Sequence, residues 1–294
     1  MKAYAGFGMK IFSEIPLRLP PAHQENHEVR VCRGSAADHI PEPFQTGSIT
    51  YGLGEHKDTV LIRIPGYVRM RIEGDAQVWV EPAEGVDPLL LSSCITGIAL
   101  LVVLKKQPVL TLHGSAVVSE GSAYGFIGDQ GSGKSTTAAA LSHQGFRVLC
   151  DDVTPVLPGD TQPTVIPGIP VPKLLPDALR FFGGEPEASA HLFDGIDKYH
   201  VTVNGSRDPA PLKALFVLEP SSTCSSAEIE LIQGIRKIRT IFSHVSVLRG
   251  LEDGQEVFSR ASSAFGRIPL WRISRPEDMH TLDRVVQLVI SQMS

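Results

Sequence analysis

Residues Gly128-Asp129-Gln130-Gly131-Ser132-Gly133-Lys134-Ser135-Thr136 satisfy the spacing G-x-x-x-x-G-K-[ST] at every fixed position. A β-prone run, Ser122 to Ile127, precedes them, and a run of helix formers, Ser135 to Leu141, follows. Strand, glycine-rich loop and helix in that order constrain the chain to an α/β arrangement. The glycines let backbone N–H groups turn inward around a polyphosphate, and the helix adds its positive N-terminal end. In such a loop Lys134 neutralises the β/γ-phosphates, and Ser135 offers its hydroxyl to Mg²⁺. The expected ligand is a nucleoside triphosphate, taken as ATP, with Mg²⁺.

His143-Gln144-Gly145 reads as the end of the helix, with Gly145 at its C-terminal cap, and Phe146 to Cys150 as a second strand that runs into Asp151-Asp152. A carboxylate at the end of a strand beside a phosphate loop is where Mg²⁺ finds a protein ligand. Two in succession permit one to hold metal and the other to take a proton from an attacking hydroxyl. The plainer reading is that the pair only opens a turn before Val153-Thr154-Pro155. Upstream, Val109 to Val118 reads as a strand interrupted by His113-Gly114. A lone histidine in a strand is usually packed or hydrogen-bonded. The glycine beside it suggests a place where ligand and backbone approach closely, with His113 as a charge stabiliser or proton partner.

His113-Gly114, the loop from Gly128 to Ser135, and Gly145-Phe146-Arg147-Val148-Leu149-Cys150-Asp151-Asp152-Val153 together resemble the catalytic core of the HPr kinase/phosphorylase family. The resemblance covers about residues 109 to 220, more loosely at Pro167-Gly168-Ile169-Pro170, Pro176 to Leu179, Asp197-Lys198 and Pro211 to Glu219. It implies a mixed sheet with flanking helices, and an ATP- and Mg²⁺-dependent serine kinase with catalytic residues His113, Lys134 and Asp151. Asp151 would be the base, while Asp152 and Ser135 would serve Mg²⁺. A Glu-x-Arg-Gly-Leu-Gly-like signature, linked in that family to the reverse phosphorylase reaction, is missing after the aspartates. The N-terminal run and the Pro-Gly-Ile-Pro and Pro-Asp-Ala pieces are instead similar to shorter members from peptide biosynthesis, especially lasso-peptide precursor kinases. These phosphorylate the C-terminal Ser side chain of a precursor peptide, the partner that the resemblance implies here. The family often forms hexamers, a trait no motif carries, so a homo-oligomer stays open.

Composition adds an expectation of a cytoplasmic enzyme. With 294 residues, 42% of them hydrophobic, the chain can bury one large core or two smaller ones. A net charge of −5 gives no footprint for nucleic acid. Cys32, Cys94, Cys150 and Cys224 are widely separated, and read as reduced thiols rather than a metal site or disulfide frame. Met1 to Pro20 lacks an apolar signal core, so secretion is not expected. Leu89 to Leu104 falls short of the roughly 20 residues of a membrane span and reads as a buried helix, ended by Lys105-Lys106-Gln107-Pro108.

Val60 to Ile64, Val68 to Ile72 and Ala76 to Val80 alternate, with a turn at Glu73-Gly74-Asp75, and predict an antiparallel meander. Three parts follow: a β-rich region over 1–85 that could bind peptide at an edge strand or groove, a linking helix over 86–107, and the kinase-like domain over 108–294. Later strands are expected at Ala214 to Leu218, Glu228 to Ile232 and Ile268 to Ile273. A last helix opens at Pro276, and its stripe of Met279, Leu282, Val285, Val286 and Val289 is packing. Arg236-Lys237-Ile238-Arg239 reads as a solvated helix face. Lys173 and Lys198 lie in family-like segments and are candidates for phosphate or peptide contact, with an ordinary surface lysine as the alternative. Two other readings stay in view: a bifunctional HPr kinase/phosphorylase or other small-substrate kinase, and a phosphate-loop ATPase or nucleotide switch that transfers phosphate only to water.

Overall fold

Apolar residues at every second position make the first eighty residues into strands, because alternate side chains of a strand point to opposite faces. The computed structural model describes residues 1–22, 27–37, 39–56, 58–184 and 199–293. They form two units: Met1–Val109 with Val247–Gly254, and the remainder.

The first unit is built on a sheet with the order β1-β2-β3-β8-β7-β6-β5-β4. The strands are β1 (Lys2–Gly6), β2 (Met9–Ser13), β3 (His27–Arg33), β4 (Phe44–Thr46), β5 (Ile49–Leu53), β6 (Thr59–Ile64), β7 (Val68–Glu73) and β8 (Gln77–Pro82). From β6 to β8 it is the expected antiparallel meander. The parallel pairings of β2 with β3 and of β3 with β8 were not legible in the sequence. Ile11, Val29, Val31, Met70, Ile72, Val78 and Val80 are fully buried.

A helical stretch follows, α1 (Pro88–Cys94) and α2 (Leu100–Lys105), joined by a π-helical Ile95–Ala99. Asp87 caps it by accepting the N–H groups of Leu89 and Leu90, and Pro88 fills a first-turn position that needs no donor. Over the 18 residues Pro88–Lys105, with a mean hydropathy of 2.0, it is long and apolar enough to cross a membrane by length and composition alone; 56% of it is buried inside the protein, in keeping with the expected buried helix. It belongs to the first unit rather than standing as a link between parts. Its last residue, Lys105, pairs at 3.1 Å with Glu252, their side chains only 4% and 12% exposed. Glu252 also accepts the N–H of Leu248 at 2.8 Å, so the carboxylate orders the returning segment Val247–Gly254.

The second unit is organised by β9 (Leu110–Ser119). One of its edges pairs antiparallel with β10 (Ser122–Ile127); the other is shared by β11 (Arg147–Cys150) and β12 (Val153–Leu157). Parallel to β10 runs β16 (Ala210–Pro220), which is followed by a parallel β18 (Leu270–Arg275) and, at the end of the sheet, an antiparallel β17 (Glu228–Ile232). A short β13 (Thr164–Val165) joins β12 to the start of β16, while β14 (Lys173–Leu174) pairs with β15 (Tyr199–His200). The helices are α3 (Lys134–His143), α4 (Pro176–Phe181), α5 (Gly234–Ser243), α6 (Gly254–Phe265) and α7 (Leu282–Ile290). Phe126 and Phe216 stack at 5.6 Å in a core that takes Ala138 and Leu141 from α3 and Val285, Val286 and Val289 from α7. The α7 stripe is thus packing, as expected. On α5, Arg236 and Arg239 are exposed, while the Lys237 ammonium donates to the Gly266 carbonyl at 2.6 Å.

The strand is not interrupted at His113-Gly114. Pairing continues through both residues, and a Cβ on Gly114 would stand 2.3 Å from the Phe126 carbonyl oxygen of the neighbouring strand. The glycine permits a close approach of backbone to backbone. Gly114→Ala is therefore expected to destabilise by at least about 2 kcal/mol, since neither strand can yield without losing ladder bonds. Gly97→Ala, on an exposed helical position with open space beyond, is expected to stabilise by roughly 0.5–1 kcal/mol. Thermal unfolding monitored by circular dichroism checks both; an unchanged midpoint for Gly114→Ala would refute the close approach.

Candidate active site

From β10 the chain enters the loop at Gly128, whose φ of 144° suits glycine, and where a Cβ would lie 2.6 Å from the Leu218 carbonyl oxygen. Asp129, Gln130 and Gly131 form an exposed tip, closed by the Ser132 N–H donating to the Asp129 carbonyl at 3.1 Å. Gly133, also at positive φ, caps α3, so Lys134, Ser135 and Thr136 occupy the first turn of that helix. Lys134 is buried, its ammonium donating to the carbonyls of Gly128 and Asp129 at 2.8 Å each. The Ser132 hydroxyl is buried without a hydrogen-bond partner. Buried polar atoms without a partner are rare in native proteins, and each calls for an explanation.

The aspartates face that loop because of the β9 register. Cys150 lies opposite Ala116 and Val153 opposite His113, which leaves Asp151 and Asp152 alongside Ser115 and Gly114. Asp152 adopts a φ of 70°, and its carbonyl accepts the Gly114 N–H at 3.2 Å. The pair does make a turn-like break between β11 and β12. That break sets the two carboxylates in different surroundings.

Asp151 is 4% exposed. Its Oδ1 accepts the Ser115 hydroxyl at 2.6 Å; its Oδ2 accepts the Ser135 hydroxyl at 3.1 Å and the Lys173 N–H at 3.2 Å. Burial pushes its carboxyl above the ordinary aspartate value, against the pull of the Ser115 hydrogen bond. Asp152 is 44% exposed, with Oδ2 2.9 Å from the Lys173 ammonium and Oδ1 3.5 Å from His113 Nδ1. Burial works to lower Lys173, but the Asp152 charge overrides it and holds the ammonium above its ordinary value.

His113 is held below the ordinary histidine value, first by lost hydration and then by the Lys134 charge, with Asp152 pulling the other way. Its Nδ1 lies 3.2 Å from the Asp152 carbonyl oxygen, which only accepts, so the hydrogen bond assigns the proton to Nδ1 and leaves Nε2 as an acceptor. The ring is suited to a proton partner more than to a fixed positive charge.

The structure thus brings together His113, the loop from Gly128 to Thr136, Asp151, Asp152 and Lys173. Lys198, and with it the Asp197-Lys198 piece, lies outside the described residues. Ser135 is joined to Asp151, the reverse of the expected sharing with Asp152. Three members were missed. Ser115 is a lone hydroxyl in an apolar strand, and only the register reveals its partner. His244, half-buried after α5, accepts the His113 N–H at its carbonyl, 2.8 Å away, and Arg275 ends β18 with a guanidinium against the loop. Neither carries a local signal.

Among the described residues no three of His, Cys, Asp and Glu gather into a metal-binding group. Mg²⁺ does not need one, since it is held through one or two carboxylates while water and phosphate complete its shell. The Ser135 hydroxyl and the Asp151 carboxylate, 3.1 Å apart, match that donor set.

No protein-family model matches the chain, and a search of curated proteins finds no match. Among solved structures, the HPr(Ser) kinase/phosphatase from Coxiella burnetii aligns at 14% identity with a TM-score of 0.31, over 62% of this chain and 95% of that one. A likeness at that level assigns neither fold nor activity.

Asp151 carries a cost that pH exposes. A carboxyl raised in the folded state favours folding while neutral, so its penalty is absent below the unfolded value of about 4 and grows as pH rises through the raised folded value. Asp151→Asn is expected to melt at a higher temperature than the parent at pH 7.5, with the gap closing toward pH 4. An Asn amide donates to Ser115 and keeps an oxygen for the Lys173 N–H. Melting curves across that range decide; a parent more stable than the variant at pH 7.5 would contradict the burial cost.

Proposed function

We propose that this chain is an ATP- and Mg²⁺-dependent serine kinase, and that its acceptor is the C-terminal Ser side chain of a ribosomal precursor peptide in lasso-peptide biosynthesis. One observation carries the kinase reading: a phosphate loop whose Ser135 bonds to one aspartate while the next aspartate stands half-exposed between a lysine and a histidine. The peptide assignment draws support from the missing phosphorylase-type signature and from the resemblance to peptide-biosynthesis kinases.

Lys134 exchanges the carbonyls of Gly128 and Asp129 for phosphate oxygens, and so concentrates positive charge where the leaving group forms. The metal supplies neutralisation of charge shared between phosphate oxygens. Ser135 and Asp151 would hold the metal, with the hydrogen bond from Ser115 fixing the Asp151 carboxylate. Asp152 accepts the proton from the incoming serine hydroxyl. This exchanges the roles that the sequence assigned to the aspartates, because Asp151 is buried with both oxygens accepting hydrogen bonds whereas the Asp152 side chain is 44% exposed, within reach of an incoming hydroxyl. Lys173 holds Asp152 ionised and aimed, and His113 passes or receives a proton beside it. Positioning and electrostatics supply most of the rate.

Incubation with MgATP and a short precursor peptide ending in Ser is expected to add one phosphate to that serine, read by mass spectrometry. Replacing it with Ala should abolish the product. Labelling of HPr protein with reversal by inorganic phosphate would establish a bifunctional enzyme instead, and nucleotide hydrolysis without labelled peptide a switch or ATPase.

Single substitutions separate the roles. Lys134→Ala should abolish transfer with the fold intact. Asp152→Asn should lower turnover by roughly 10²–10⁴-fold while binding MgATP normally. Asp151→Asn should weaken Mg²⁺-dependent nucleotide binding, measured by titration calorimetry. The opposite pattern would return the base role to Asp151.

A further inference from the structure

Arg275 stands at the end of β18, half-buried, with Nη1 donating to the Pro276 carbonyl and Nη2 to the Ser132 carbonyl, each at 3.0 Å. Its guanidinium lies so close over Gly133 that a Cβ there would meet Nη2 at 2.6 Å. Gly133 therefore answers two demands, a φ of 96° and a cation pressed against its α-carbon.

A cation beside the N-terminal end of a ten-residue helix, next to a buried lysine, is electrostatically costly. Glu277 is the acidic group that acts on it. The arrangement becomes favourable once an anion occupies the loop, as the orphaned Ser132 hydroxyl independently suggests.

The geometry of a trans peptide gives the arginine a specific task. The C=O of Ser132 and the N–H of Gly133 belong to one plane and point in opposite directions. A carbonyl drawn outward to Arg275 turns the Gly133 N–H away from the arginine, toward the concave side of the loop. We propose that Arg275 is a positioning residue of the phosphate loop, which fixes the Ser132–Gly133 peptide so that its N–H is aimed at the bound polyphosphate. The inference rests on the reading of Gly128 to Thr136 as the nucleotide site.

Calorimetry with MgATP and steady-state kinetics test it on the full chain. Arg275→Ala is expected to lower MgATP affinity by about tenfold or more, the loss of a hydrogen bond from a charged donor. KM should rise while kcat at saturating nucleotide changes little, and free guanidinium should restore affinity by occupying the vacated space. Wild-type affinity in a folded Arg275→Ala, or a loss that guanidinium does not repair, overturns the proposal. Should the alanine variant not fold, Arg275→Lys keeps the charge without the fork that spans both carbonyls; weakened binding at an unchanged melting temperature is expected, and wild-type binding refutes the role. If the parent protein does not bind MgATP, or if Lys134→Ala binds it unchanged, the loop assignment itself is wrong and the proposal falls with it.

Discussion

The register of β9 is the constraint on which the site depends. One edge of the strand fixes where β10 ends and hence where the glycine-rich loop begins; the other fixes where β11 breaks and the aspartates emerge. Both edges meet at Gly114, so the loop and the carboxylates keep their spacing through backbone hydrogen bonds and not through flexible side chains. Ladder bonds of a central strand are among the stiffest parts of a fold, which is the support that preorganised chemistry needs.

Around that scaffold the charges are sorted by burial. Asp151 is enclosed and fully hydrogen-bonded, Asp152 is half in water, and the lysine between them donates its backbone to one and its ammonium to the other. Adjacent identical side chains thereby acquire different chemistry without any difference in residue type. A left-handed backbone at Asp152 accompanies the placing of both carboxylates against Lys173, where an unbroken strand would have sent the two side chains to opposite faces.

What the sequence made legible was local. The loop, its strand and helix, the Asp pair and the β6–β8 meander follow from spacing, periodicity and turn chemistry within short windows. The C-terminal helix was equally plain, because its apolar stripe keeps helical spacing. What stayed hidden needs pairing across distance. Ser115 reaches Asp151 only because two strands align, Arg275 reaches Ser132 across 143 positions of sequence, and the parallel pairings around β3 join segments with no turn between them. The His113-Gly114 reading erred for the same reason: the carbonyl that demands the glycine comes from another strand. The different surroundings of the two aspartates go with a left-handed backbone at Asp152, which no composition encodes.

The segment Val247–Gly254 leaves the second unit's stretch of sequence, seals Glu252 against Lys105 and returns. A gene fragment that carried residues 110–294 to a new setting would take along Val247–Gly254 without the unit it packs into, and leave Leu248 and Glu252 without the surroundings that bury them. The two units are thus tied in inheritance as well as in sequence, and shuffling that treats residues 110–294 as a detachable cassette parts a segment from the unit it belongs to. Recombination is tolerated more readily where such a strap is absent.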